Sequence, residues 1–180
     1  MDKLSGKVPI QLTIRPVQTE DISFLWDMMY EAAAVAEGMR VLGKEKALSL
    51  PVNRKYVEGW GRFGDAGVIA SDKAGQPLGA AWYRLHSASD PGYGFLSPKI
   101  PELTIGVHAD VRGQGIGNAL LHALIERARS EGYAALSLSV DRNNSALHLY
   151  ERFGFRDAGE SKPEDTSVTM IKPLKKQEQR

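Results

Sequence analysis

The stretch ELTIGVHADVRGQGIGNALLHALIERARSEGY, residues 102–133, joins an apolar run to a long amphipathic pattern through a glycine-rich turn. The apolar run over 102–107 predicts a strand, and the helical spacing of apolar residues over 115–131 predicts a helix. Three glycines occupy alternate positions in the turn behind Arg112: Gly113, Gly115 and Gly117. The glycines therefore lie at the point where a strand leads into a helix.

This turn has the properties of an anion-binding site. Backbone N–H groups at the start of a helix have no partner within the helix, and the helix dipole adds partial positive charge there. Glycines let the backbone approach a ligand closely, and Arg112 would place a guanidinium beside the same anion. We therefore expect the segment RGQGIG to bind a pyrophosphate.

The glycine-rich turn has other possible interpretations. A glycine-rich turn without a ligand is one alternative, because such motifs often match by chance. A Walker A loop is excluded, since Gly117 is followed by Asn118 and Ala119 rather than by Lys and Ser or Thr. A dinucleotide-binding fingerprint is weak, because it requires a third glycine at 118 and an acidic residue on a second strand. Glu131 falls at the end of the predicted helix instead.

The composition of the chain narrows the possible functions. The 180 residues suit one domain, and 23 Lys plus Arg against 22 Asp plus Glu argue against nucleic acid as an obligate partner. The absence of cysteine excludes a disulfide scaffold, a thiolate metal site and a cysteine nucleophile. No apolar run approaches the roughly 20 residues that cross a bilayer, so no membrane association is expected. The N-terminus lacks the apolar core of a signal peptide, and a cytoplasmic location is expected.

Predicted strands and helices alternate along the rest of the chain. Strands are expected over 10–17, 66–71, 77–87, 102–107, 134–140 and 166–174. Helices are expected over 19–37, ending at Gly38, and over 115–131 and 144–153, with short helical turns in 43–50 and 53–60. This order predicts one mixed α/β or α+β domain over 10–174 with flexible ends at 1–9 and 175–180.

A second cluster, NNSALHLYERFGF at 143–155, has the spacing N-x-x-A-x-x-L-Y-x-x-x-G-F. With it the chain resembles the GNAT superfamily of acyl-CoA-dependent N-acyltransferases. The acyl-CoA signature of that family, Q/R-x-x-G-x-G/A after an apolar strand, is matched by Arg112, Gly115 and Gly117. The resemblance is strong from about residue 100 to 157. It implies the GNAT fold, a mixed and mostly antiparallel central sheet with splayed strands four and five, flanked by helices.

The resemblance also implies the ligand and its contacts. Acetyl-CoA would be the co-substrate, with no metal. Its pantetheine arm would bind the backbone of the fourth strand at Ile105, Gly106 and Val107. Its pyrophosphate would bind the turn formed by Arg112, Gly113, Gln114, Gly115, Ile116, Gly117 and Asn118. Asn143 matches the family asparagine that opens the next helix beside the cofactor, and a helix cap is its alternative role.

Two residues are candidates for the chemistry. Tyr150 matches the position at which many family members place a general acid that protonates the departing thiolate, and a phenol is protonated at neutral pH. Its alternative role is that of a core tyrosine. Glu102, at the start of the fourth strand, is the candidate general base, directly or through water. The alternative for Glu102 is an exposed glutamate at a strand end.

Further residues are weaker candidates. Ser139 stands near the position where some ribosomal-protein acetyltransferases of the family carry a glutamate, which weakens an assignment to that branch. His86 and His108 are possible bases, although a surface or hydrogen-bonded histidine is the simpler interpretation of each. Candidates for the acceptor side are Trp26, Met29, Tyr30, Glu31, Trp82, Tyr83, Tyr93 and Phe95.

The sequence therefore predicts an acyltransferase that moves an acetyl group from acetyl-CoA to a primary amine by direct attack in a ternary complex. The amine, whether a small molecule or a peptide, is not identified, and a homodimer is possible. The alternative is a GNAT-fold module that binds acyl-CoA without turnover. A nucleotide-binding protein that uses the turn for NAD or ATP is a further alternative.

Overall fold

The computed structural model describes residues 9–174. The ends predicted to be flexible, 1–9 and 175–180, lie outside the described residues except for Pro9. Seven strands are present in the described part of the chain: β1 (Thr13–Pro16), β2 (Ala66–Ser71), β3 (Pro77–Arg84), β4 (Glu102–Val107), β5 (Ala135–Asp141), β6 (Arg156–Asp157) and β7 (Ser167–Pro173). Six α-helices accompany them: α1 (Ile22–Ala33), α2 (Glu37–Leu42), α3 (Lys44–Ser49), α4 (Pro51–Arg54), α5 (Ile116–Ser130) and α6 (Ala146–Arg152).

The strands form one sheet in the order β1-β2-β3-β4-β5-β7-β6. Every neighbouring pair is antiparallel except β4 and β5, which run parallel. This arrangement confirms the predicted GNAT fold, a mixed and mostly antiparallel sheet flanked by helices. No helix within residues 9–174 is long and apolar enough to cross a bilayer.

The two faces of the sheet are covered by different helices. On one face α5 packs against β2, β3 and β4, because Ile116, Leu120 and Leu124 recur at helical spacing and are fully buried. On the other face α1 packs against β3 and β4 through Leu25 and Met28. The central strands are therefore buried on both faces, which explains why β2 and β3 are almost continuously apolar.

The first helix ends earlier than the sequence predicts. The pattern over 19–37 predicts one helix that ends at Gly38, but α1 ends at Ala33 and Gly38 lies inside α2. Extended backbone at Ala36 separates the two helices, with ψ of 126°. The alanine-rich segment 32–36 offers little apolar area to bury, so packing does not hold the helix together there.

Candidate active site

β4 and β5 separate soon after they begin. They pair at Glu102 and Ser137, and the Ser137 N–H donates to the Pro101 carbonyl at 3.0 Å. At the other end of β4, the His108 N–H donates to Leu78 on the β3 side at 2.9 Å. Because backbone groups alternate in direction along a strand, the N–H and C=O groups of residues 105 and 107 point away from β3, toward the opening. This edge could accept an extended ligand as an added strand.

A cavity of about 720 Å³ fills the opening between the two strands. It is enclosed by β4, β5, the segment 29–39 and the starts of α5 and α6. Most of the residues that the sequence predicts for the site contribute to its wall: Glu102, Ile105, Gly106, Val107, Arg112, Gly113, Gly115, Ile116, Gly117, Asn118 and Tyr150. Gln114 and Asn143 do not. The structure thus brings residues from three separate parts of the chain to one cavity.

The glycine-rich turn presents free backbone donors to this cavity. Among the described residues, no acceptor pairs with the N–H groups of 113–118, and α5 begins at Ile116 directly behind them. Gly113 and Gly115 have φ of 76° and 83°, which only glycine adopts without strain. A Cβ on either glycine would meet no protein atom within 4 Å, and both glycines line the cavity. The turn can therefore hold a pyrophosphate.

The guanidinium of Arg112 lies on the α1 side of the turn. Its Nη2 pairs with the Glu31 carboxylate at 2.9 Å, and its Nε donates to the Val107 carbonyl at 3.2 Å. The side chain remains 46% exposed. Arg112 therefore links the end of β4 to the end of α1, and it occupies one of the backbone acceptors at the open edge.

The start of α6 is held by Asn144 rather than by Asn143. The Asn144 side-chain oxygen accepts the Ala146 N–H at 2.9 Å, and Asn144 contributes to the cavity wall. Asn143 is exposed, and its N–H donates to the Asp141 carboxylate at 2.8 Å. Asn143 therefore does not cap α6, whereas the neighbouring Asn144 side chain accepts the N–H of the first residue of this helix.

Tyr150 is buried on α6 and faces the cavity. Its ring packs edge-on against Phe155 with centroids 5.9 Å apart. Its hydroxyl has no hydrogen-bond partner among the described residues. Burial raises the pKa of Tyr150 to about 12, so the phenol holds its proton throughout the neutral range. A proton donor is therefore available in the cavity.

Glu102 is buried, with only 3% of its surface exposed, on the α1 side of the sheet. Its Oε1 accepts the Tyr56 hydroxyl at 2.7 Å and the Gly94 N–H at 2.9 Å. The Tyr56 hydroxyl in turn accepts the Tyr93 N–H at 2.8 Å. Burial raises the pKa of Glu102, although the Tyr56 hydrogen bond opposes this rise. A carboxylate with a raised pKa can take a proton from an ammonium group at neutral pH more readily than an exposed one.

The acceptor side of the cavity includes residues that carry no sequence motif. Of the predicted acceptor residues, Met29, Glu31 and Tyr93 line it, whereas Trp82 and Tyr83 are fully buried in the core. Side chains that no sequence motif marks complete this wall: Ala32, Ala33, Val35, Met39, Asn53 and Tyr56. They come from the end of α1 and from segments in and next to the short helices α2 and α4, whose patterns are too short to distinguish a wall from a surface.

No group of three or more metal-binding side chains occurs within residues 9–174. The polar groups that line the cavity are amides, phenols, guanidinium groups and carboxylates. This set suits a phosphate-containing ligand and proton transfer.

Comparison with known proteins gives a consistent result. A family model described as the Acetyltransferase (GNAT) family matches residues 26–155. L-methionine sulfoximine/L-methionine sulfone acetyltransferase of Pseudomonas paraeruginosa is 34% identical over 117 residues, which cover 64% of this chain and 65% of that protein. A mycothiol acetyltransferase of Thermobispora bispora is 33% identical over 105 residues, which cover 58% of this chain and 34% of that protein.

Neither relative is therefore matched over two thirds of its length. Among solved structures, the ribosomal-protein-alanine N-acetyltransferase of Brucella melitensis superposes with a TM-score of 0.65 at 27% identity. That alignment covers 90% of this chain and 99% of the other.

Proposed function

Because the chain belongs to the GNAT family and is thus an acetyltransferase, we propose that it transfers an acetyl group from acetyl-CoA to a primary amine. The amine attacks the thioester directly in a ternary complex, without a covalent enzyme intermediate. The roles of individual residues follow from where they lie around the cavity.

One observation carries the proposal: free donors for a diphosphate and a free strand edge line the same cavity. The N–H groups of 113–118 have no acceptor among the described residues, and the backbone of Ile105 faces the gap beside β5. A ligand with a diphosphate at one end and an amide-containing arm fits both features. The diphosphate satisfies the helix N–H groups, and the arm pairs with β4.

The reacting groups lie further along this cavity. The backbone N–H groups at the open edge of β4 hold the thioester and polarise its carbonyl. Glu102 takes the proton that the acceptor ammonium must lose before it can attack, directly or through water. Tyr150 donates its proton to the sulfur as the thiolate leaves, which its raised pKa permits.

The acceptor is proposed only as a primary amine. The relatives are named for acceptors as different as methionine sulfoximine and the alanine of a ribosomal protein. The wall on the acceptor side combines apolar side chains such as Met29 and Met39 with the polar amide of Asn53. The Asn53 amide donates to the Ala47 carbonyl at 2.8 Å, so it also fixes the short helices that form this wall.

The test is thiol release from acetyl-CoA in the presence of a panel of primary amines, combined with calorimetry of CoA binding. We expect amine-dependent thiol release and CoA binding without NAD binding. CoA binding without thiol release for any amine would favour the alternative of a non-catalytic acyl-CoA-binding module. Binding of NAD but not of CoA would overturn the proposal.

A further inference from the structure

The two oxygens of the buried Glu102 carboxylate have different surroundings. Oε1 accepts hydrogen bonds from Tyr56 and Gly94. Oε2 is enclosed and has no hydrogen-bond partner among the described residues, and the same holds for Nε2 of His86. These two unpaired atoms face each other at 3.8 Å, with each side chain only 3% exposed.

This spacing is informative. A direct N···O hydrogen bond is about 2.7–3.2 Å long, and a water molecule between two polar atoms needs considerably more room than 3.8 Å. A shift of roughly 1 Å in either side chain therefore forms a direct bond. Leaving both buried atoms unpaired costs free energy, and a pair with only a structural role would avoid this cost by forming the hydrogen bond. The pair is thus able to make and break one hydrogen bond.

The surroundings favour a neutral pair over an ion pair. Burial, reinforced by the charges of Arg62, Arg84 and Lys55, lowers the pKa of His86 to about 4. Burial also raises the pKa of Glu102. A proton held by the pair therefore resides on the carboxyl group, and the neutral imidazole is the acceptor beside it.

The carboxylate of Glu102 is closed off on one side by a loop and faces His86 on another. The loop after β3 covers the carboxylate, since a Cβ on Gly92 would overlap Oε2 and lie 2.9 Å from the Tyr56 hydroxyl. Charged side chains lie near enough to His86 to act on its pKa, including Lys55 and Asp90, which form an ion pair whose Asp90 side chain is 70% exposed. A proton on Oε2 therefore has an unpaired acceptor, Nε2 of His86, 3.8 Å away.

We propose that His86 is a positioning residue that passes the proton of Glu102 to solvent after each acetyl transfer. This inference rests on the proposed function, with Glu102 as the base. Acetyl transfer from a thioester to an ammonium group yields an amide, a thiol and one released proton. Glu102 takes that proton from the ammonium. The carboxyl O–H then passes it to Nε2 of His86, Nδ1 releases its proton to water, and the carboxylate is restored. Proton exchange with water then returns the ring proton from Nε2 to Nδ1, so that Nε2 can accept again.

The experiment compares the wild-type protein with His86→Gln, which keeps an amide donor near Oε2 but cannot relay a proton. His86→Asn is made in parallel, so that one folded variant suffices. His122→Gln is the control, because His122 is exposed on α5 and outside the cavity wall. Thiol release is measured from pH 6 to 9 at increasing concentrations of imidazole buffer, and folding is checked by thermal melting.

We expect kcat of the His86 variants to fall about tenfold or more, while the KM for acetyl-CoA changes less than about twofold. Imidazole should restore part of the lost rate in the variants and leave the wild type and His122→Gln unchanged. A folded variant with wild-type kcat and pH profile, or with a loss that no buffer concentration relieves, would overturn the proton route. A wild-type protein that releases no thiol with any amine would overturn the proposed function and the route together.

Discussion

Gly106 of β4 lies directly against the backbone of Met28 in α1. A Cβ placed on Gly106 would overlap the Met28 carbonyl oxygen and lie 2.8 Å from its carbonyl carbon. The helix therefore rests on the strand with no room for a side chain between them. This contact sets the position of Met29, the next residue of α1, in the cavity wall.

Replacing Gly106 with Ala should therefore both destabilise the protein and deform the site. We expect a loss of about 1–3 kcal/mol in the free energy of unfolding, because the helix must move or the strand must bend. Urea denaturation measures the loss, and calorimetry with CoA measures the effect on binding. Gly38→Ala is the control, since Gly38 is in helix α2 and a Cβ there meets nothing within 4 Å. The control should be neutral or stabilise by about 0.5–1 kcal/mol, and equal losses in both variants would contradict the close packing.

The glycine-rich turn leads to a second prediction. Gly115→Val should abolish or strongly weaken CoA binding, because the side chain would stand where the diphosphate binds. The substitution also strains the backbone, since φ at Gly115 is 83°. Gly75→Val is a matched control, because Gly75 has the same φ of 83° and a Cβ placed on it would also meet no protein atom within 4 Å. Gly75 lies in the turn between β2 and β3, away from the site.

Calorimetry on both folded variants separates strain from loss of the site. The Gly75 variant should bind CoA like the wild type despite a similar loss of stability. Unchanged CoA binding by the Gly115 variant would show that the diphosphate binds elsewhere.

The parts of the site that the sequence predicts well are formed by residues that are close together in the chain. The turn over 112–118 leads into α5, and the cluster over 143–155 spans the whole of α6. Each is contiguous in the sequence, so its spacing alone is enough to place it. The surroundings of Glu102 are different. The sequence allows an exposed position for this residue, yet in the fold it is buried and hydrogen-bonded to Tyr56 and to the loop at Gly94.

Tyr56 is 46 residues away from Glu102 in the sequence, and no periodic pattern reports a single contact across that separation. No periodic pattern predicts the place of Asn53 in the cavity wall either, because it belongs to a helix of only four residues. Residues of this kind join a site only through tertiary packing.

Tyr150→Phe should lower kcat by about 10²-fold with little change in CoA affinity, because the hydroxyl donates its proton only during the reaction. Stability should change little, since the hydroxyl has no partner among the described residues. Thiol-release kinetics and calorimetry measure the two effects. Tyr133→Phe, outside the cavity wall, is the control and should retain activity. An unchanged kcat in Tyr150→Phe would remove the residue from the mechanism.

The ion pair of Arg84 with Asp65 is expected to matter for stability rather than for catalysis. The guanidinium is fully buried and binds the carboxylate through two contacts of 3.0 and 2.7 Å. Asp65→Ala leaves that charge unpaired in the interior, and we expect a loss of about 3–5 kcal/mol in urea denaturation. Glu58→Ala removes the partner of Arg54 in an exposed pair and should cost less than about 1 kcal/mol. Similar losses of unfolding free energy in the two variants would show that the buried Arg84 pair contributes no more to stability than the exposed one.

The last prediction concerns the dependence of stability on pH. The titratable and charged groups around His86 come from several elements: Lys55, Tyr56, Arg62, Arg84, Asp90 and Glu102. Because the pKa of His86 falls from its ordinary value of 6.5 to about 4, the unfolded chain binds more protons than the folded one between these values. The contribution of His86 to stability is therefore complete above pH 6.5 and is lost as the pH falls toward 4.

Glu102 has the opposite effect on the pH dependence of stability. Its pKa is raised above the ordinary value of 4.5, so the folded protein binds more protons than the unfolded chain just above that pH. The free energy of unfolding of the wild type, relative to that of His86→Gln, should thus decrease as the pH falls from 6.5 to 4. Relative to that of Glu102→Gln, it should decrease as the pH rises above 4.5. Urea denaturation of the three proteins between pH 4 and 8 measures both trends. Parallel stability curves for the wild type and His86→Gln would show that His86 titrates in the folded protein as it does in the unfolded chain.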